Sequence, residues 1–324
     1  MPTIDPRKRR PGRGGVFRFL PRAAAPALFS VLTFLSCATV SAVDGLPLAA
    51  AVSPGEVVPV WRPLPLPAGE TEPAPILHFS GRVSEPRLEF HALRIDLSDP
   101  RLRIAVAGGG ITADGGTAAI RVSSFVRDRG LVAGINALPF DPVSGREGEP
   151  RTNIGVVIAD GVSLSPPHRG FDALVFLADG SAAIVDQGEM GALAGVSHAV
   201  GGFGRVLEAG EPSPRVLDLS PRHPRSAAGV SPCGTYLYIL AADGRRPASV
   251  GATELELALL LRALGASDGI NFDGGGSTAL ALRLPDGTVR IANTPIHGGI
   301  PGRERAVAGV LGFGITDGDV VAGR

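Results

Sequence analysis

Residues 267–282 have the sequence SDGINFDGGGSTALAL, and this stretch predicts both a local fold and a site. A short apolar strand would deliver Asn271 and Asp273 to the loop Gly274-Gly275-Gly276-Ser277, after which a second strand begins. Because glycine accepts positive φ and leaves backbone N–H groups open to a ligand, this loop is suited to an anion. We therefore expect Asp273 beside a site for phosphate or a sugar oxygen. On spacing alone, an ordinary glycine-rich hairpin is equally compatible.

The helix before this loop has the clearest signals in the chain and is predicted from Glu254 to Leu264. Thr253 and Glu256 have the spacing of a capping box, and Gly265 suits the position that ends a helix. A second helix is predicted over residues 117–129.

Short apolar or alternating segments elsewhere predict strands. Residues 88–97 and 102–106 are predicted to pair as a hairpin around the turn at 98–100. Further strands are predicted at 131–136, 155–159, 173–177, 182–185 and 236–241. Strands and helices do not alternate in a regular βαβ rhythm. We therefore predict an α+β fold, a single domain of mixed, mostly antiparallel β-sheet with two or more packed helices.

The chain begins with the features of an export signal, predicted over residues 1–42. Arginines and a lysine crowd residues 1–22, residues 23–42 are uncharged, and Val40-Ser41-Ala42 suits cleavage after Ala42. An uncleaved membrane anchor and a lipoprotein signal with a lipidated Cys37 are the alternatives. All three predict a periplasmic or extracellular protein, with membrane contact only through a lipid or an uncleaved signal.

The segment after the signal, residues 43–75, holds eight prolines, which favours an extended linker over a packed element. The folded domain is predicted over residues 76–316, followed by a C-terminal tail at 317–324.

The charge distribution argues against nucleic acid as a partner. The formal net charge is zero. However, the basic residues are concentrated in the export signal, so the remaining chain is mildly acidic. A protein without a basic surface lacks the electrostatic basis for binding nucleic acid.

Several reaction classes lack their sequence signatures. A phosphate-binding Walker loop is excluded because the only lysine is Lys8. The six histidines do not have the spacing of a zinc site, so no metal site and no cofactor is predicted. Scattered aspartates leave a divalent cation such as calcium open.

From Pro224-Arg225-Ser226 onward, the chain resembles the phosphodiester glycosidase family. The resemblance continues through Asp243-Gly244-Arg245, the helix after Thr253 and the stretch 271–277. It also includes the closing elements Asn293-Thr294-Pro295 and Arg305-Ala306-Val307, and the upstream elements Ala133-Gly134-Ile135-Asn136 and Asn153-Ile154-Gly155.

This resemblance implies an exported hydrolase that cleaves a sugar-1-phosphodiester in envelope or extracellular glycans. Asp273 would be the key carboxylate. Asp243 would be the second, acting either as a base or by holding Arg225. The remaining predicted site residues would bind substrate: Arg225 and Arg305 the phosphate, Asn136 and Asn271 the sugar hydroxyls, and Gly274, Gly275, Gly276 and Ser277 as the positioning loop.

A non-catalytic glycan-binding protein of the envelope, built on the same scaffold, is the rival interpretation. The segment Ala137-Leu138-Pro139-Phe140 favours it, because the family has a different composition after the asparagine that corresponds to Asn136.

Overall fold

The computed structural model describes residues 60–64, 74–110, 112, 116–216 and 220–316. The predicted export signal with Cys37, most of the predicted linker and the predicted tail lie outside the described residues. Within the described ranges, no helix is both long enough and apolar enough to cross a bilayer.

The described residues contain two α-helices, α1 (Val122–Asp128) and α2 (Glu254–Leu264), and three short 3₁₀ turns, at Gln187–Ala192, Gly275–Ser277 and His297–Gly299. The strands in chain order are β1 (Arg62–Pro63), β2 (Ile76–Val83), β3 (Leu88–Asp96), β4 (Leu102–Ala107), β5 (Thr117–Ala118), β6 (Ala133–Asn136), β7 (Phe140–Asp141), β8 (Pro150–Asn153), β9 (Val157–Ala159), β10 (Val162–Ser165), β11 (Asp172–Leu177), β12 (Ala182–Asp186), β13 (Val196–Gly201), β14 (Gly204–Glu208), β15 (Glu211–Pro212), β16 (Arg225–Val230), β17 (Tyr236–Ala242), β18 (Asp268–Asn271), β19 (Leu280–Arg283), β20 (Val289–Ile291) and β21 (Val310–Ile315).

The strands form four sheets. The largest has the order β1-β2-β3-β17-β16-β18-β14-β15, and two five-stranded sheets have the orders β10-β9-β13-β11-β12 and β20-β19-β6-β21-β4. A three-stranded sheet has the order β5-β8-β7. The described fold is thus mostly antiparallel sheet with few helices, and sheet dominates more than the predicted α+β class suggests.

The eight-stranded sheet has a hydrophobic core on each face. Successive residues of β17 alternate between the two cores: Ile239 packs with the residues of the five-stranded sheets, and Leu240 packs with the leucines of α2. This alternation is the period of a strand buried on both faces. The central strands are therefore held rigidly from both sides.

Helix α2 has the predicted ends. The Thr253 hydroxyl accepts the Glu256 N–H at 3.1 Å, the Glu256 carboxylate accepts the Thr253 N–H at 3.0 Å, and Gly265 ends the helix at φ 112°. Both predicted capping signals are confirmed.

Two predictions for the first half of the chain are wrong in detail. β3 and β4 do not form a hairpin, because β3 pairs with β2 and β17 while β4 pairs with β21. The helix predicted over 117–129 is shorter: its first residues form β5, and α1 starts only at Val122.

Part of the predicted linker is attached to the sheet. Arg62–Pro63 pairs with β2, and the Trp61 ring lies 5.8 Å from the ring of Phe79. Leu64 is buried in the core.

Several strand ends meet at one edge of the eight-stranded sheet. β17 ends at Ala242 and β18 at Asn271, whereas β16 begins at Arg225 and β14 at Gly204. Neighbouring strands here are antiparallel, so these four ends lie side by side. This edge carries the candidate site.

Candidate active site

The glycine loop leaves the sheet at this edge and is fixed by backbone hydrogen bonds. The Asp273 N–H donates to the Ala137 carbonyl at 2.8 Å, and the Gly275 N–H donates to the Pro224 carbonyl at 2.8 Å. A side chain at Gly274 would lie 2.7 Å from the same Pro224 oxygen, so glycine is needed for this close approach. The loop is therefore anchored to both neighbouring segments.

A chain of polar groups connects Asp273 to Arg305. The buried Ser277 hydroxyl donates to the Asp273 carboxyl group and accepts the Arg305 Nη1–H at 3.0 Å. Burial raises the pKa of Asp273 to about 6, while the Ser277 hydrogen bond, the Arg305 charge and the Gly274 N–H act to lower it. Such a carboxyl group changes protonation near neutral pH, where a general base works best.

Two arginines cover the glycines, and each is paired with a histidine. Arg305 donates from Nε to His297 Nδ1 at 3.0 Å, and Arg245 Nη2 lies 3.2 Å from His223 Nδ1. Desolvation and the neighbouring guanidinium lower the pKa of both histidines, which keeps the rings neutral and able to accept these bonds. The two histidines therefore orient the two guanidinium groups.

The guanidinium groups explain two of the three glycines. A Cβ at Gly275, whose φ is +63°, would lie 3.1 Å from Arg245 Nη2, and a Cβ at Gly276 would overlap the Arg305 guanidinium. The loop and the two arginines thus form a compact basic surface beside Asp273. We call Arg245, Arg305, His223 and His297 the basic cluster.

Asn136 supports the glycine loop through side-chain hydrogen bonds. Its Nδ2 donates to the Asp273 carbonyl at 2.5 Å, and its Oδ1 accepts from the Ser226 hydroxyl at 2.7 Å and from the Ala279 N–H at 3.1 Å. The side chain is 1% exposed. These contacts suit a support for the loop, whereas the sequence predicted a bond to sugar hydroxyls.

Asn271 is also buried, on β18 beside the loop. Its Oδ1 has no hydrogen-bond partner among the described residues. A buried polar atom without a partner is costly in a folded protein, and a donor supplied by a substrate would remove that cost. Its predicted contact with substrate stays a prediction.

Arg225 is adjacent in sequence to the loop's anchor, but its guanidinium has other partners. It donates to the carbonyls of Ala252 and Pro221, at 3.2 and 3.1 Å, and to the Glu254 carboxylate at 3.3 Å. These bonds hold the start of α2. The structure therefore does not bring the Arg225 guanidinium to the glycine loop as a phosphate ligand.

The Asp243 carboxylate joins segments of the chain through hydrogen bonds. One carboxylate oxygen accepts from Arg246 Nη2 at 2.7 Å; the other accepts from Asn293 Nδ2 and the Thr294 N–H, at 3.1 and 2.8 Å. The residue is 2% exposed. Its charged partner is thus Arg246 and not Arg225. Its predicted role as a base stays a prediction.

Sequence reasoning assigned roles to Arg305 but missed the other three members of the basic cluster. Arg245 follows Asp243-Gly244 in a turn and has φ +58°, while His223 precedes β16 and His297 lies in a 3₁₀ turn. An arginine directly after an aspartate-glycine turn was the available signal. The histidines are separated by more than 70 residues and had none.

Metal ligands are not grouped in the described part of the chain: no three His, Cys, Asp or Glu side chains there are arranged to hold a metal ion.

Comparison with solved structures shows the fold to be shared. The catalytic domain of zebrafish N-acetylglucosamine-1-phosphodiester alpha-N-acetylglucosaminidase, auto-inhibited by its pro-peptide, matches with a TM-score of 0.54 and 17% identity, over 81% of this chain and 89% of that one. A protein of Burkholderia pseudomallei K96243, named "Putative exported protein", matches with a TM-score of 0.53 and 15% identity, over 70% and 74%.

A hypothetical protein from Synechocystis matches with a TM-score of 0.50 and 16% identity, over 74% of this chain. The chain spans only 62% of that protein's length. No curated protein matches the sequence.

The fold and the anchored glycine loop define a β-rich scaffold with a carboxyl group and two guanidinium groups at one sheet edge. Residues 129–314 match the family model of phosphodiester glycosidases, which is more than half of the chain. The chain belongs to the phosphodiester glycosidase family. The resemblance inferred from the sequence is confirmed, and the family indicates a hydrolase of phosphodiester-linked sugars.

Proposed function

We propose that the protein is an exported hydrolase that cleaves the glycosyl–phosphate bond of sugar-1-phosphodiesters in envelope or extracellular glycans. The observation that carries the proposal is the contact of Asp273, through Ser277, with Arg305. A carboxylate for the sugar carbon and guanidinium groups for the phosphate are then grouped around one loop.

In this proposal, the basic cluster binds the phosphate. Arginine suits phosphate because its planar fork donates two parallel hydrogen bonds. Arg245 is exposed and Arg305 is half-buried, and both lie against the glycine loop. Because the partners of Arg225 leave it no such role, we assign the phosphate to Arg245 and Arg305.

The reaction follows from these positions. The bond between the anomeric carbon and the phosphate oxygen breaks, and its electron pair stays on the phosphate, whose charge the two guanidinium groups stabilise. Water adds to the anomeric carbon and gives its proton to Asp273. The products are a free sugar and a phosphomonoester.

A second catalytic carboxylate is not required. An ordinary glycoside needs a strong general acid because its leaving group is an alcohol, whereas a phosphate is already a weak base. Asp243 therefore acts through the fold: it fixes Asn293 and Thr294, whose loop leads to His297. The chemistry invokes neither a metal nor a cofactor.

Export rests on two observations of different kinds. The sequence of residues 1–42 has the pattern of a signal, and a structural neighbour is named as exported. The domain division into signal, linker 43–75 and folded part 76–316 is part of this proposal. Attachment through Cys37 is its lipidated variant.

The segment Ala137–Phe140, whose composition favoured the interpretation as a non-catalytic glycan-binding protein, supports the glycine loop in this fold. Ala137 and Leu138 are fully buried, and the Ala137 carbonyl accepts the Asp273 N–H. The two residues that differ from the family therefore pack against the glycine loop, and the loop itself is retained.

The test is the release of free sugar from a panel of sugar-1-phosphodiesters by the purified protein and its Asp273→Asn variant. We expect release by the wild type alone. Binding of a phosphodiester without release by the wild type would move the assignment to a glycan-binding protein. Equal release by the variant would remove Asp273 from the reaction.

A further inference from the structure

An aromatic cluster, defined as His168, Phe171 and Phe203, lies beside the end of the strand that leads to Asp273. The His168 and Phe171 rings are 4.2 Å apart, and the Phe171 and Phe203 rings meet edge to face at 5.6 Å. Phe203 is 40% exposed and His168 is also exposed. The cluster thus presents aromatic surface to solvent.

Its position is set by the sheet. The Phe203 N–H donates to the Asn271 carbonyl at 2.9 Å, two residues before Asp273. Phe203 precedes β14, which borders β18 on one side, while Arg225 and His223 lie at the start of β16 on the other. Adjacent strands are about 5 Å apart. The strand that leads to Asp273 therefore has Phe203 at the start of one neighbouring strand and His223 of the basic cluster just before the start of the other.

The cluster is held by a buried amide. Gln187 is 1% exposed, and its side-chain Oε1 accepts the backbone N–H of His168 at 2.8 Å. The backbone N–H of Gln187 donates to the Phe171 carbonyl at 2.9 Å. Its Nε2 donates to the Asp172 carbonyl at 2.9 Å. A Cβ at Gly201 would lie 2.7 Å from that nitrogen. Gln187 thus fixes the backbone of His168 and Phe171.

We propose that the aromatic cluster is the subsite for the glycosyl ring of the substrate, with Phe203 as its stacking surface. The C–H face of a pyranose carries weakly positive hydrogens, which the negative face of an aromatic ring attracts, and the contact buries apolar surface on both. With phosphate on the basic side, the anomeric carbon lies over Asp273 and the sugar ring extends toward Phe203. This inference rests on the proposed function.

Kinetics of Phe203→Ala and Phe203→Tyr on a sugar-1-phosphodiester test the subsite. We expect the alanine variant to raise KM about tenfold with little change in kcat, because it loses a contact present in both ground and transition states. Tyrosine keeps the ring and should keep KM. Val162→Ala, at an exposed position on β10, is the control and should change neither constant. An unchanged KM in Phe203→Ala overturns the subsite.

A binding measurement separates this inference from the reaction itself. Saturation-transfer NMR would use methyl glycosides of glucose, galactose, mannose and N-acetylglucosamine as probes. Transfer to ring C–H protons in the wild type, lost in Phe203→Ala, supports the subsite even if no phosphodiester is hydrolysed, in which case only the proposed function fails. Equal transfer in the two proteins, or none in the wild type, overturns the subsite even where hydrolysis is observed.

Discussion

Replacement of Asp273 by asparagine should abolish hydrolysis and at the same time stabilise the fold at neutral pH. The carboxylate is charged in a place where burial raises its pKa to about 6, from an ordinary value of 3.8. A group with a raised folded pKa destabilises the folded state once it is ionised. Asparagine keeps the shape and the acceptor for Ser277 without the charge.

The size of the effect follows from the two pKa values. Below pH 3.8 the carboxyl group is protonated in both states and costs nothing. The cost grows as the pH rises from about 4 to 6 and is constant above that. Each pKa unit corresponds to about 1.4 kcal/mol, so the limit is about 3 kcal/mol. Because Asp273 is half-buried, solvent reduces this, and we expect about 1–2 kcal/mol.

Urea denaturation of wild type and Asp273→Asn at pH 4 and pH 8 measures the difference. The variant should be more stable at pH 8 and within about 0.5 kcal/mol of wild type at pH 4, with no hydrolysis at either pH. The wild-type kcat/KM should rise with pH and level off above about 6, since the ionised form is the base. A variant less stable than wild type at pH 8 would show that the charge contributes to folding, which refutes the reasoning.

Three further variants probe the surroundings. Asp243→Asn should lose about 1–2 kcal/mol of stability in the same denaturation assay, because the mostly buried Arg246 loses one of its two carboxylate partners and keeps the other, Glu89. An unchanged stability would contradict the structural role given to Asp243. Gly276→Ala should lower kcat/KM at least about tenfold with little change in melting temperature, since the Arg305 guanidinium must move; unchanged kinetics would show that its position is unimportant. Arg245→Met should lower kcat/KM on phosphodiesters by about 10–100-fold and leave binding of neutral methyl glycosides unaltered; equal losses on both would argue against a phosphate contact.

Local signals in the sequence were sufficient for elements whose stabilising partners are close along the chain. The α2 helix is capped by residues within its own first turn, so Thr253, Glu256 and Gly265 identified its ends. The pairing of β3 was not accessible in the same way. Alternation shows that a strand is half-buried, but the partner β17 lies about 140 residues later, and only the tertiary fold selects it.

The site residues divide in the same way, into those with partners close along the chain and those with distant partners. Asp273 and the glycines are contiguous, so their sequence predicted an anion site. Arg225 was assigned to phosphate because arginine suits phosphate, and no local pattern reveals that α2 engages its donors. Arg245 and Arg305 meet at the glycines only because antiparallel strands end at one edge and a distant loop returns to it.

The identity of the bond that breaks tests the central claim most directly. Hydrolysis of a sugar-1-phosphodiester in ¹⁸O-labelled water, followed by mass spectrometry, reports which product takes up the solvent oxygen. Attack on the anomeric carbon beside Asp273 predicts the label in the free sugar and unlabelled phosphomonoester. Label in the phosphomonoester would mean that water attacks phosphorus, which would contradict the roles given to Asp273 and to the basic cluster.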